Sequence, residues 1–323
     1  MSKVAVAILT YNRVGYLKEC IQSVLNQTFQ DVSIYIFDNA STEPIKEAVE
    51  SFGDSRITFI GAEQNIGAEG NINRAIEYVC KEQYVVMFHD DDTMHPKMLE
   101  AQVRFLDAHT EAQFVLTDLQ RGSDGGMQNF APIDVSAVQS VVFRNGYEFI
   151  RAQMNWLRYG FPSVMYRKSA FGETRIRPEF FHFFDMIFVA EIAQKGECGI
   201  LQAPLMIHRV HEGQYTESRK KDYREGIKKL LVFLRDNVER QEKPEDMMLF
   251  RKHAVNSLLR ACSHINYGLV ACIRFLHECK QEQLFSWTDM RYIDTRGGVS
   301  LLSVIFKSRK IIDIARWIRN LLI

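Results

Sequence analysis

Over the first 120 residues, short apolar runs alternate with amphipathic stretches of about 10–15 residues, and this alternation restricts the fold more than any other feature. KVAVAIL (3–9), VSIYIF (32–37), RITFIG (56–61), YVVMF (84–88) and FVLTDL (114–119) read as strands. They are short, apolar and rich in β-branched residues, as strands buried on both faces are. Between them, helical spacing runs over 14–26, where Leu17, Ile21, Val24 and Leu25 share a side. It recurs at 43–52, at 68–81 after NIGAEGN, and in HPKMLEAQVRFLDAH, with Pro96 near the first turn. Such an order implies an α/β fold, a mainly parallel sheet covered by helices.

Ligands of open α/β sheets sit beyond the carboxyl ends of the strands. The first strand ends at Thr10, Tyr11 and Asn12, the second at Asp38 and Asn39, and the run YVVMFHDDD at Asp90, Asp91 and Asp92. Adjacent carboxylates repel, and burying them is costly. A divalent cation such as Mn²⁺ or Mg²⁺ makes the crowding tolerable, because hard cations take oxygen ligands and bridge carboxylates to phosphates. The simpler alternative is that Asp92 or Thr93 caps the next helix, which accounts for one acid and not three. Gly61, Gly67 and Gly70 do not form GxGxxG, and TYNRVG stands where a dinucleotide fold needs that motif.

The 323 residues exceed one ordinary core, which predicts a large domain with a smaller appendage. Zero net charge argues against nucleic acid as the main partner. Six cysteines without a CxxC pair read as reduced thiols of a cytoplasmic protein. MSKVAVAILTYN has no basic segment before an apolar one, so no secretory signal is expected, and no apolar run approaches the roughly 20 residues of a membrane span. From about 219 the pattern turns helical, over RKKDYREGIKKLLVFLRDNVERQ, 246–264 and 268–280. The last segment, LLSVIFKSRKIIDIARWIRNLLI, sets Lys307, Arg309, Lys310, Arg316 and Arg319 among apolar residues. That pattern suits an interfacial helix on an anionic membrane face, or a helix packed on the larger domain or in a homodimer.

TYNRVGYLKECIQSVLNQTFQDVSIYIFDNAST resembles the opening of family 2 glycosyltransferases of GT-A fold, with the TYNR-like loop, the helix ending in SVLNQT and the strand ending in DNAS. QNIGAEGNINRAIE resembles the family's next segment, and the acids at 89–92 its metal-binding acidic motif. GFPSVMYRKSAF (160–171) is similar to the family's strand and turn near the acceptor site. FFHFFDMIFVAEIAQKGECGILQAPLMIHRVHEGQYT (180–216) is similar to the segment that carries its catalytic acidic pair and terminal histidine, with Phe184 in place of one acid. The expected domains are 1–217, catalytic, with a nucleotide-binding half (1–120) and an acceptor half (121–217), and 218–323, helical.

The resemblance implies an inverting, metal-dependent transfer of a sugar from a nucleotide-diphosphate donor, a UDP-sugar foremost, to a hydroxyl of a glycan or lipid-linked glycan. The setting it implies is bacterial surface-polysaccharide synthesis on the inner membrane face. Asp185 falls where the family's catalytic base lies, with Glu191 on the same predicted helix as a reserve or a buried partner. Thr10, Asn12, Arg13, Asp38, Asn65, Gly67, Arg74, Asp90 and Asp91 are implied to line the nucleotide, with Asn73 beside Arg74. Asp38 can equally cap a turn and Arg74 be a solvated helix charge. Asp92 is the foremost metal ligand, then Asp90 and then Asp91, and His211 completes the shell or touches the diphosphate. His89 packs or ligates, and Arg209 offsets phosphate charge. Two rivals are a catalytically inactive sugar-nucleotide-binding or scaffold subunit, which Phe184 suggests, and a nucleotidyltransferase, which should carry a glycine-rich basic loop after the first strand.

Overall fold

β1 (Val4–Thr10) is an interior strand of a nine-stranded mixed sheet, and Val4 to Ile8 are wholly inaccessible to solvent. Burial on both faces is why the run is continuously apolar. The computed structural model describes residues 2–79, 81–123, 130–155, 157–211, 223–264 and 269–292; the basic segment expected to form an interfacial helix at 299–323 lies outside them. β2 (Val32–Asp38) and β4 (Tyr84–His89) flank β1 in parallel, and β3 (Ile57–Gly61) extends the sheet beyond β2. The helices that cross over between them are α1 (Val14–Leu25), α2 (Ile45–Glu50) and α3 (Gly67–Tyr78). α2 is shorter than its sequence pattern because Pro44 stands at its N-cap.

The other half of the sheet is mixed. Its strands are β5 (Thr93–Met94), β6 (Ala112–Ser123), β7 (Ser140–Phe143), β8 (Val164–Arg167) and β9 (Glu197–Val210), giving the order β3-β2-β1-β4-β8-β6-β9-β5 with β7 also on β9. β8 lies antiparallel to both β4 and β6, whereas β9 is parallel to β6. α4 (Met98–Ala108) covers the sheet, and its Leu99, Val103 and Leu106 share one core cluster with Val6, Ile8, Leu17 and Ile21. Gly199 on β9 permits this contact, since a Cβ there would meet the Phe105 ring at 2.2 Å.

The described residues fall into two compact units. The first, within 2–149, 158–178 and 188–211, contains the sheet. The second comprises 150–157, 179–187 and the helices α7 (Tyr223–Glu239), α8 (Pro244–His264) and α9 (Leu269–Gln281). Its core includes Leu230, Leu231 and Leu234 of α7, Phe250 and Leu258 of α8, and Phe275 of α9. α5 (Gly146–Asn155) and α6 (Phe184–Ala193) complete the helices. Among the described residues no helix is long and apolar enough to cross a membrane.

Gln27, from the SVLNQT run, locks the segment that follows the three acids. Its buried amide donates to Ser23 O (3.1 Å) and His95 O (2.8 Å), and its oxygen accepts from Leu99 N (3.0 Å) in the first turn of α4. Thr28 N donates to Pro96 O (2.8 Å) beside it. Gln27→Leu strands these buried partners and should cost about 2 kcal/mol, seen as a lower urea midpoint at constant m-value. An unchanged midpoint would show that water replaces the amide at no cost.

Candidate functional site

The connection from β1 leads to β2 on one side, while β4 pairs β1 on the other. The strand order therefore reverses at β1, where α/β sheets open a crevice at their carboxyl ends. Thr10 ends β1 there, and its hydroxyl donates to Asp90 Oδ2 at 2.7 Å, with Tyr11 N donating to the same oxygen at 3.3 Å. Arg13, entering α1, donates from one terminal nitrogen to Asp90 Oδ1 (3.1 Å) and Asp91 Oδ2 (3.0 Å). Asp90 and Asp91 are thus held from the end of β1 and the start of α1, and all three acids are buried, with Asp90 2%, Asp91 7% and Asp92 1% exposed.

Their environments differ. Burial pushes Asp90 up to about 6, helped by repulsion from Asp91 and opposed by Arg13 and Thr10. Burial would lift Asp91 too, but His89, Arg13 and His211 outweigh it and the group is lowered. Asp92 is held well above the usual carboxylate range by burial and then by Asp91. Its Oδ1 accepts from Arg209 N at 3.0 Å, while its buried Oδ2 has no hydrogen-bond partner. One atom each from His89, Asp91 and Asp92 lies within 4.8 Å of the others, with His89 Nδ1 3.9 Å from the lone Asp92 oxygen. An orphaned carboxylate oxygen facing a second carboxylate and an imidazole fits a small divalent cation. Burial lowers the His89 imidazole to about 4, keeping it neutral as a ligand must be.

Arg209 and His211 come from the carboxyl end of β9 and the residue just after it. β5, directly after the acids, pairs Thr93 with Ile207 and Met94 with Met206, which carries 209 and 211 alongside the acidic loop. His211 Nε2 lies 3.0 Å from Asp91 Oδ2, and Arg209 Nε donates to Asp91 O at 3.0 Å. The outer nitrogen of Arg209 binds Glu19 at 2.6 Å. Tyr16 lies under that guanidinium at 4.7 Å and beside the His211 ring at 4.8 Å. Neither Tyr16 nor Glu19 is marked by the sequence pattern, since both read as ordinary residues of α1. Their three-residue spacing, which puts them on one helix face, is the only signal.

The remaining candidates build the loops beside the crevice. Asn12, at φ 52°, accepts from Thr42 N at 2.7 Å. Asp38 accepts from Ser41 N (3.2 Å) and Ser41 Oγ (2.5 Å), the turn-capping geometry. Asn39 reaches Asn65 Oδ1 (3.0 Å) and Gly67 O (3.1 Å), and Asn65 accepts from Gly67 N (2.8 Å). The φ of +78° at Gly67 is one that L side chains rarely adopt. Arg74 is no free charge on its helix. It donates to Asp38 O (2.9 Å) and Ile60 O (3.2 Å) and lies over the Phe37 ring. Asn73 exchanges two bonds with the backbone of Ile176, at 2.9 and 2.8 Å. The structure joins Thr10, Arg13, Asp90, Asp91, Asp92, His89, Arg209 and His211 in one network. Beside it, Ser41 links Asn12 to Asp38, whose carbonyl holds Arg74, while Asn65 and Gly67 close around Asn39.

Asp185 belongs to the second unit, in the first turn of α6. Burial raises its pKa to about 6 against a hydrogen bond from Met186 N at 2.7 Å. Glu191, the reserve, is paired with Arg177.

A nine-stranded mixed sheet with an acidic loop at its switch point defines a nucleotide-sugar-transferase type of fold. The description "Glycosyl transferase family 2" matches residues 5–174, just over half of the chain, and the chain belongs to that family. The crystal structure of S. aureus TarS 1–349 in complex with UDP-GlcNAc superposes with TM-score 0.60 at 16% identity, over 87% of this chain and 88% of that one. The mannosyltransferase PcManGT of Pyrobaculum calidifontis, in complex with GDP-Man and Mn²⁺, gives 0.54 at 14%, over 96% and 87%. At such identities they establish the fold, GT-A. An Escherichia coli relative, the UDP-Glc:α-D-GlcNAc-diphosphoundecaprenol β-1,3-glucosyltransferase WfaP, is 27% identical over 127 residues, 36% of this chain and 50% of that one. The first curated relatives are matched over 40% or less of their length.

Asp92→Asn tests the cation cradle through stability. The folded pKa of Asp92 is raised, so the fold retains a proton that the unfolded chain gives up, and stability is lost as pH rises above about 4. At neutral pH and without metal, Asp92→Asn should therefore melt higher than the parent. It should also lose the stabilisation that Mn²⁺ confers, about 2.7 kcal/mol at roughly 100 times its Kd. A full Mn²⁺-induced rise in the variant removes Asp92 as a ligand.

Proposed function

We propose that the chain is an inverting glycosyltransferase that moves a sugar from a nucleotide-diphosphate donor, a UDP-sugar foremost, to a hydroxyl of a glycan or lipid-linked glycan. The observation that carries this reading is the buried, unpartnered Asp92 oxygen facing His89 and Asp91 at the switch point. Asp92, Asp91 and His89 would hold Mn²⁺ or Mg²⁺, a set that differs from the expected Asp92, Asp90 and His211, because Asp90 is engaged by Thr10 and Arg13 and His211 by Asp91. Bound there, the cation supplies Lewis-acid stabilisation of the departing diphosphate.

The chain's own groups divide the rest of the work. Thr10 and Arg13 fix Asp90 and Asp91 before any ligand arrives, so no reorganisation is needed at that edge. Tyr11, 43% exposed where β1 ends, offers a flat ring for a base to stack on. Asp185 takes the proton of the attacking hydroxyl, and its carboxyl near 6 suits a base working around neutrality. TarS and WfaP, named with UDP-GlcNAc and UDP-Glc, favour a UDP-sugar, and WfaP's diphosphoundecaprenol substrate favours a lipid-linked acceptor. A place in bacterial surface-polysaccharide assembly rests on the same likeness.

Calorimetric titration of UDP, GDP, dTDP and CMP, each with and without Mn²⁺, tests the donor half. One nucleotide should bind, and chelation should abolish its binding; no binding of any nucleotide sinks the reading. The acceptor half is tested separately. Asp185→Asn should lower kcat by about 10²–10⁴-fold and leave nucleotide affinity intact. In the parent, kcat should rise with pH through about 6 as Asp185 loses its proton, and near-parental turnover in the variant excludes it as the base.

A further inference from the structure

Phe181 sits at φ 51° and ψ −124°, inside a short helical turn, Pro178–Phe183, that leads directly into α6 and Asp185. A non-glycine residue held there costs about 1–3 kcal/mol and persists only where its surroundings over-determine it. Those surroundings are one face of α7. The Tyr223 ring meets Phe183 edge-on at 5.1 Å and His182 at 5.8 Å, and Lys229 Nζ lies 5.3 Å from the Phe181 ring. Between them stands Gly226. A Cβ there would come 2.9 Å from Phe183 Cδ2, 3.1 Å from Phe180 O and 3.3 Å from Phe181 Cβ.

Glycine inside a helix is unfavourable by about 1 kcal/mol relative to alanine. The conformation of α7 does not require it, because no positive φ occurs at Gly226. The approach of the 180–183 backbone and rings does. Three consecutive features of α7, a ring, a gap and a cation, therefore match three features of the turn. The match lies wholly in the second unit and beyond the residues that the family description covers.

We propose that Tyr223, Gly226 and Lys229 are positioning residues, which seat the strained 180–183 turn on α7 and thereby fix where α6 starts and how Asp185 presents its carboxylate. This rests on the reading of Asp185 as the general base. The helical region is then part of the machinery of turnover rather than an anchor alone. The strain at Phe181 is offset by the contacts along α7, so loosening any of them releases the turn and the residue four positions on. A misplacement of about 1 Å at a reacting group can cost on the order of 10²-fold in rate.

The test uses the full chain and two variants, Gly226→Ala and Tyr223→Leu. Alanine improves helix propensity by about 1 kcal/mol, so lost activity in Gly226→Ala cannot be ascribed to a weaker α7. Both variants should lower kcat by about 10–100-fold, leave donor KM and UDP–Mn²⁺ affinity unchanged, and displace the acid limb of the kcat profile. Retained kcat in both overturns the proposal. So does a fall in kcat accompanied by lost UDP–Mn²⁺ affinity with the limb in place, which marks general damage. Asp185→Asn, assayed alongside, separates the two readings. If it keeps turnover, the base assignment fails; if it is inactive while both α7 variants turn over normally, the seat alone fails.

Discussion

Three consecutive carboxylates, each less than a tenth exposed, must be compensated before this sheet can fold around them. The hydrogen bond from Thr10 to Asp90 is the first step, because it joins the ends of β1 and β4, the two strands between which the connection reverses. Arg13 then bridges Asp90 and Asp91, and His211 supports Asp91 from the other side. These partners lower Asp91 but leave Asp90 and Asp92 raised. Interacting acids so close share protons as a group rather than titrating singly. The chain's own groups thus compensate the acids only in part.

Compensation from within the chain explains features remote from the acids. β9 must run on to Val210, paired with β6 to its last residue, so that Arg209 and His211 reach the loop, and β5 pairs it at Met206 and Ile207 directly after the acids. Arg209 is itself nearly buried, so it needs a counter-charge, which Glu19 supplies, and a surface, which Tyr16 supplies. Gln27 closes the ring by fixing the backbone between Met94 and Leu99. Helix α1 thus serves the site through Arg13, Tyr16 and Glu19 while its apolar side, Leu17, Ile21 and Val24, serves the core.

What the sequence discloses and what it hides follow from the range of the interactions. β1 to β4 are legible because strands buried on both faces must be continuously apolar, and their ends mark the crevice. The acids are legible because no local cap accounts for three. β5 is not, since two residues carry no periodicity, and without β5 the register that brings Arg209 to Asp92 cannot be foreseen. Arg74 reads as a surface charge because helix position alone does not reveal that the carbonyls of Asp38 and Ile60 lie within its reach. His89 reads ambiguously for the same reason. Its neighbours Asp91 and Asp92 are local, but the direction of its ring is set partly by stacking on Phe161, seventy-two positions away.

The same physics sets stability against readiness for a cation. Asp92 Oδ2 has no donor, although Arg209 N satisfies the other oxygen of the same carboxylate. A second donor there would lower the desolvation penalty and fill the space a cation needs. In the neighbouring loops the side chains of Asn39, Asn65 and Asn12 hold the backbone through their amide groups. Burying Asp92 Oδ2 without a donor costs the fold stability, a cost that a bound cation would remove under the proposed reading. Because Arg209 N holds Oδ1 and Oδ2 accepts no hydrogen bond, a cation bound at Oδ2 would displace none of the hydrogen bonds that hold the Asp92 carboxylate.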